Sequence, residues 1–152
     1  MRFFSDELLH QSIFEETKET EEQWNQALHN YCMSLELLKG KVSKPIWDIA
    51  YHNRLHDAKF AGIVIQHGEN QNRPTHIEVS FQKGKAIQIQ YRKVSKFVVT
   101  FNEADTGIDH LGIDDCVYSE LLEVGEKLFS HELLFSSGAK FYIEFEKISL
   151  RR

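Results

Sequence analysis

Two histidines and an aspartate, His52, His56 and Asp57, stand close together in "YHNRLHDAKFAGIVIQ", just ahead of an apolar run. Histidines four apart on a helix point the same way and can share a zinc ion, as in the HExxH proteases. That motif needs a glutamate beside its first histidine as general base, and Asn53 stands there instead, so protease chemistry fails. An adjacent His-Asp pair also marks a helical class of metal-dependent phosphohydrolases, where a helix bundle supplies a further histidine and aspartate. Here the pair opens what reads as a β-strand, and the register does not suit that architecture. The competing reading is a corner between a helix and a strand. There Asp57 accepts hydrogen bonds from backbone N–H groups freed at the helix end, and His56 packs against the helices with one ring nitrogen bonded. The corner is the preferred reading. A metal site made of His52, His56 and Asp57 is the alternative, and it requires both rings to face one ion although the helix stops near residue 55.

The remaining chemistry-bearing residues carry weaker patterns. His10 and His29 fall on helices, His67 in a turn, and His76 on the polar face of a strand. His131 shares its parity with Phe129, Leu133 and Phe135, which predicts a buried or half-buried ring with a partner. In "EADTGIDHLGIDDC", His110 sits among Asp105, Asp109, Asp114 and Asp115, but the spacing departs from the calcium-loop pattern and lacks its closing glutamate. There is no GxSxG elbow, no GxxxxGK[ST] phosphate loop and no GxGxxG turn. Cys32 and Cys116 lie far apart without CxxC spacing and read as free thiols of a reducing compartment, with one distant disulfide as the alternative. No cofactor is implied.

The elements that position these residues change period near Leu55. Before it, Ser5 can cap "DELLHQSIFEE", with Asp6 and Glu7 at the positive end of the helix dipole. Trp24, Leu28, Tyr31, Leu35 and Leu38 then form one apolar stripe, with Gly40 as a stop. Pro45 suits a first helical turn, with Ile46, Ile49 and Ala50 inward. After Leu55, "THIEVSFQ" and "KAIQIQYR" alternate, "KFVVTF" is denser, and three more strand-like runs follow around "GEK" and "SSGAK". The expected fold is α+β: N-terminal helices packed on a curved antiparallel β-sheet of six or seven strands, a meander or partial barrel. A helical part over residues 1–54 and an antiparallel β part over 55–152 make one compact unit.

Composition narrows the function classes. The 152 residues are 41% hydrophobic and 27% charged, with 18 basic and 23 acidic side chains and a net charge of −5. Nucleic acid rewards clustered positive charge, so this balance argues against it, and a basic protein partner, or none, fits better. No run is long enough to span a bilayer, and the charged start does not resemble a signal peptide. A cytoplasmic location is expected. The sequence does not set the oligomeric state.

Two stretches taken together carry a resemblance. "LHDAKFAGIVIQ" (55–66) gives a Leu-His-Asp opening to the first strand. "DDCVYSELLEVGEKLFSHELLFSSGAKFYIEFEKISL" (114–150) gives a Tyr-x-Glu strand, a Phe-Ser-x-Gly hairpin and an apolar–acidic strand. The combination resembles a family of small bacterial domains without an assigned function. A tryptophan common before the Tyr-x-Glu strand is replaced here by Asp114-Asp115-Cys116. The resemblance implies an architecture and a bacterial cytoplasmic origin, and no catalytic residue. The expected function is a non-enzymatic protein-binding module, immunity-type in one version. The alternative is a metal-dependent hydrolase or small-ligand enzyme using His52, His56 and Asp57.

Overall fold

Helix gives way to strand where the sequence changes period. In the computed structural model, which describes residues 1–14, 17–67, 75–101 and 112–151, three helices precede six strands. The helices are α1 (Asp6–Phe14), α2 (Lys18–Leu38) and α3 (Lys44–Tyr51). Local chemistry starts each one. The Ser5 hydroxyl accepts from the Leu8 N–H at 3.2 Å. Thr17 and Thr20 form a reciprocal capping box on α2. Pro45 lies in the first turn of α3. Ile46, Ile49 and Ala50 are buried as expected. On α2 the stripe is narrower than predicted: Tyr31, Leu35 and Leu38 are buried, but Leu28 is 43% exposed at the rim of a small hollow beside Phe4 and Cys32.

The strands are β1 (Ala58–Gln66), β2 (His76–Lys83), β3 (Lys85–Thr100), β4 (Asp115–Gly125), β5 (Leu128–Phe135) and β6 (Lys140–Leu150). "KAIQIQYR" and "KFVVTF" belong to one strand rather than two. β3 bends at a bulge between Val94 and Lys96, where Lys93 takes a left-handed φ of 55°, and then continues. The strands close into an antiparallel barrel in the order β1-β2-β3-β6-β5-β4. Two three-stranded meanders are thus joined by β3 against β6 and by β1 against β4.

The register shows how steeply the strands are staggered. Ala86 pairs with Gln82, Gln82 with Lys59, and Lys59 with Asp115. The path continues from Cys116 to Phe135, whose neighbour Leu134 pairs with Lys140, and it re-enters β3 at Thr100 instead of Ala86. Such a shear demands strongly tilted strands. It also leaves β1 and β4 joined by only two residue pairs, Ala58 with Cys116 and Lys59 with Asp115.

Closure changes the layering expected from sequence. The apolar face of the sheet turns into the barrel, so it needs no helical cover. Ile77, Val79, Phe81, Ile89, Leu133, Phe135, Phe141, Ile143 and Phe145 fill the interior. Phe135 and Phe141 pack there with ring centroids 4.8 Å apart. One polar pair shares this space: the Tyr91 hydroxyl lies 2.7 Å from His131 Nδ1, both side chains fully sealed.

The helices pack outside, α2 on β4 and α3 on β4 and β6. Between them a second aromatic cluster forms from Phe4, Trp24, Tyr31 and Tyr118. The N-terminal segment is tied to β4 by Glu120, only 1% exposed, whose carboxylate accepts the backbone N–H groups of Arg2, Phe3 and Phe4 at 2.6, 2.8 and 2.7 Å. Directly across the ladder, Glu132 lies 2.9 Å from the Met1 amino group. Among the described residues, no helix is long and apolar enough to cross a membrane.

Candidate functional site

The short β1–β4 joint leaves polar backbone groups of β4 to be satisfied by something other than a strand. The N–H of Leu121 donates to the Tyr31 hydroxyl oxygen at 2.9 Å. The carbonyl of Val117, at a bulge in β4, lies 2.8 Å from His56 Nδ1. A carbonyl can only accept, so Nδ1 carries the proton. In the neutral ring Nε2 is then an acceptor, 3.5 Å from an Asp57 carboxylate oxygen. Protonation of the ring would turn that contact into an ion pair. Lys83 donates to the His56 backbone carbonyl from the β2 side.

The turn that carries His56 is closed by its own backbone. Arg54 N–H bonds Ile49 O, His56 N–H bonds Asn53 O, and Ala58 N–H bonds Leu55 O, at 2.9 to 3.1 Å. Asn53 and Asp57 both take left-handed φ, 45° and 58°, a conformation their short polar side chains tolerate better than most. Asp57 does not act as the expected acceptor of freed N–H groups. Its own N–H donates to Cys116 O at 2.9 Å and starts the barrel joint, while its side chain is 71% exposed. The backbone had already satisfied the helix end.

His56 forms one wall of an open cleft of about 660 Å³ between the α1–α2 junction and β4. Trp24 and Tyr118 supply its aromatic surface, their rings 4.8 Å apart and edge to face. The His56 ring lies 5.8 Å from Tyr118. Thr17, Lys18 and Glu21 from the start of α2 supply the polar rim. Burial, and then the negative charge of Asp57, hold the Tyr118 hydroxyl above its ordinary pKa. A cleft of this size, part aromatic and part polar, falls within the range that receives small ligands or a few side chains of a partner.

No protein-family model matches the chain, and no curated protein does either. Function must therefore be argued from geometry.

Of the residues singled out in the sequence, the structure brings His56 to the cleft wall, keeps Asp57 beside it, and leaves His52 apart. His52 is the C-cap of α3, exposed, with its ring edge-on to Tyr51 at 5.3 Å. Among the described residues, no group of three or more His, Cys, Asp or Glu side chains is placed to hold a metal ion. Asp105, Asp109 and His110 lie outside the described residues. Cys32 and Cys116 are free thiols, and burial pushes the Cys116 thiol up to about 12, so it is no nucleophile at neutral pH. His131 has the partner its parity predicted, Tyr91, and burial holds its pKa down at about 3.

Sequence reasoning did not single out Trp24, Tyr118, Lys18 or Glu21 as site residues. Trp24 read as part of the core stripe and Tyr118 as a strand residue. Both readings hold for half of each ring, since each packs on Phe4 with one part and lines the cleft with another.

Proposed function

We propose that the chain is a non-enzymatic binding module that receives a basic segment of a protein partner at the Trp24–Tyr118 cleft. The observation that carries the reading is an aromatic-walled cleft with Glu21 beside Lys18 on its rim and the charge of Asp57 felt at Tyr118. The start of α2 beside it is acidic, for residues 17–22 contain three acidic side chains, Glu19, Glu21 and Glu22, and one basic one, Lys18. Aromatic faces attract a guanidinium or ammonium group, and nearby carboxylates add to that attraction and speed encounter. An immunity-type protein, which covers the basic site of a toxin with acidic surface, is the specific version of this proposal. Cytoplasmic location and kinship with the small bacterial domains that the sequence resembles belong to the same proposal.

The test uses Trp24 as its own reporter in a Trp47→Phe background. A short arginine-rich peptide is expected to change Trp24 fluorescence, with an effect that shrinks as salt rises and disappears in Glu21→Lys. A glutamate-rich peptide of equal length is expected to do nothing. Equal responses to the two peptides, or an arginine response that Glu21→Lys leaves intact, would defeat the proposal.

A second reading, a metal-dependent hydrolase or small-ligand enzyme using His52, His56 and Asp57, draws support from the orientation of His56. Its Nδ1 is held by a backbone carbonyl and its Nε2 is available at the cleft wall, the arrangement in which an imidazole serves as base or ligand. Metal analysis of the purified protein and of His56→Ala separates the readings. Stoichiometric metal that is lost in the variant would favour the enzyme.

A further inference from the structure

The β3–β6 ladder contains a feature that costs stability as it stands. Arg92 and Lys147 occupy directly opposite positions. Neighbours across an antiparallel ladder sit close together, and two like charges there repel. Neither is neutralised within the described residues. Arg92 directs Nε and Nη2 to the neutral Gln90 side-chain oxygen, at 2.9 and 2.6 Å, which leaves Nη1 uncommitted. Lys147 has no ion-pair partner among the described residues.

The two cations line a cleft of about 250 Å³, distinct from the Trp24–Tyr118 cleft, between β6 and the α2–α3 connection. Lys41, Ser43, Glu146 and Ser149 line it as well, the Glu146 carboxylate being paired with Lys93. Ser43 is the N-cap of α3 yet makes no capping hydrogen bond. The Ser43 and Ser149 hydroxyls have no partner among the described residues. The acids nearby are already committed, Glu123 to Lys41 and Glu146 to Lys93. The cleft therefore presents a guanidinium N–H, an ammonium and two hydroxyls without a matching acceptor, and the positive end of the α3 dipole adds to the same field.

We propose that this cleft is an anion-binding site for a phosphate group, as inorganic phosphate or as a small phosphate monoester. A tetrahedral dianion supplies the acceptors that the donors lack, and a planar guanidinium beside an ammonium suits its oxygen pairs. It also relieves the Arg92–Lys147 repulsion. The site does not depend on the basic-partner proposal, since it lies in another cleft and takes the opposite charge.

The experiment titrates the full chain with inorganic phosphate and, in parallel, with phosphoserine, each against sodium chloride at matched ionic strength. Thermal unfolding and backbone amide shifts are the readouts. Phosphate is expected to raise the unfolding temperature beyond the chloride control and to move the amide signals of Ser43, Arg92 and Lys147. Phosphoserine acting at lower concentration than phosphate would assign the site to a monoester, and the reverse order to the free ion. Lys147→Gln is expected to unfold no lower than the parent chain at low salt, because it removes the repulsion, and to weaken phosphate binding at least tenfold. Lys83→Gln, on the β2–β3 hairpin, serves as control and keeps the response. Identical shifts with phosphate and chloride, or a phosphate response undiminished in Lys147→Gln, would overturn the proposal.

Discussion

Acidification from neutral pH to about pH 5 is expected to cost the fold about 2 kcal/mol through His131 alone. Burial inside the barrel holds that imidazole at a pKa of about 3, against an ordinary value of 6.5. The folded chain keeps the ring neutral through this range, while the unfolded chain takes up a proton as pH falls below 6.5. The unfolded state then binds more protons, so stability falls with pH by about 1.4 kcal/mol per unit until the folded pKa is reached. Above pH 6.5 the contribution is whole. Urea unfolding at about pH 7.5 and in steps down to about pH 5 measures the slope. The comparison that isolates the pair is with Tyr91→Phe/His131→Leu. That double variant removes both polar partners, and it is expected to change neutral-pH stability little while flattening the profile by the stated slope. Tyr91→Phe alone leaves the imidazole nitrogen unpaired in a dry interior and is expected to cost about 1–3 kcal/mol at neutral pH. Should the parent chain and the double variant lose stability in parallel between neutral pH and pH 5, the account of the interior pair would be wrong.

Glu120→Gln keeps the shape of the side chain but removes the charge that accepts three backbone N–H groups. It is expected to cost about 1–3 kcal/mol and to speed amide exchange at Phe3 and Phe4 well above the parent rate. Leu35→Ala, at a site with no exposure, is expected to cost about 2–5 kcal/mol in denaturant unfolding. Leu28→Ala, on the same helix but 43% exposed, is expected to cost less than half as much. Equal losses for the two leucines would mean that the apolar stripe of α2 is evenly buried after all.

What the sequence made legible was what period and end chemistry report. Ser5, Pro45 and the 3.5-residue stripe located the helices, and two-residue alternation located the strands and the inward parity of His131. Barrel closure was not legible, because it depends on the stagger between strands distant in sequence, and alternation is the same in an open sheet. The continuity of β3 was hidden for a related reason: the irregular stretch Lys93–Lys96 spaces the core-facing residues Tyr91, Val94 and Phe97 three apart, and that break in alternation looks like a turn. The cleft was hidden because Trp24, His56 and Tyr118 arrive from three elements. Each has a sufficient local explanation, as stripe, corner or strand residue. The proximity of His56 to Asp57 could be read from the sequence, but the assignment of its Nδ1 to Val117 could not, since that bond exists only because β1 and β4 part after two pairs.

That brief joint has a mechanical consequence. The β3–β6 ladder is held by ten residue pairs and the β1–β4 seam by two. The cheapest partial opening of the cylinder therefore unlatches at the seam, letting the two meanders swing about β3–β6 as a clam opens on its hinge. The Asp57 and Phe60 N–H groups that fasten the latch bond Cys116 O and Asp114 O, and Asp57 and Cys116 are chain neighbours of His56 and Val117, which line the Trp24–Tyr118 cleft. A guest lodged between α2 and β4 favours the shut state, and by reciprocity the shut state favours the guest.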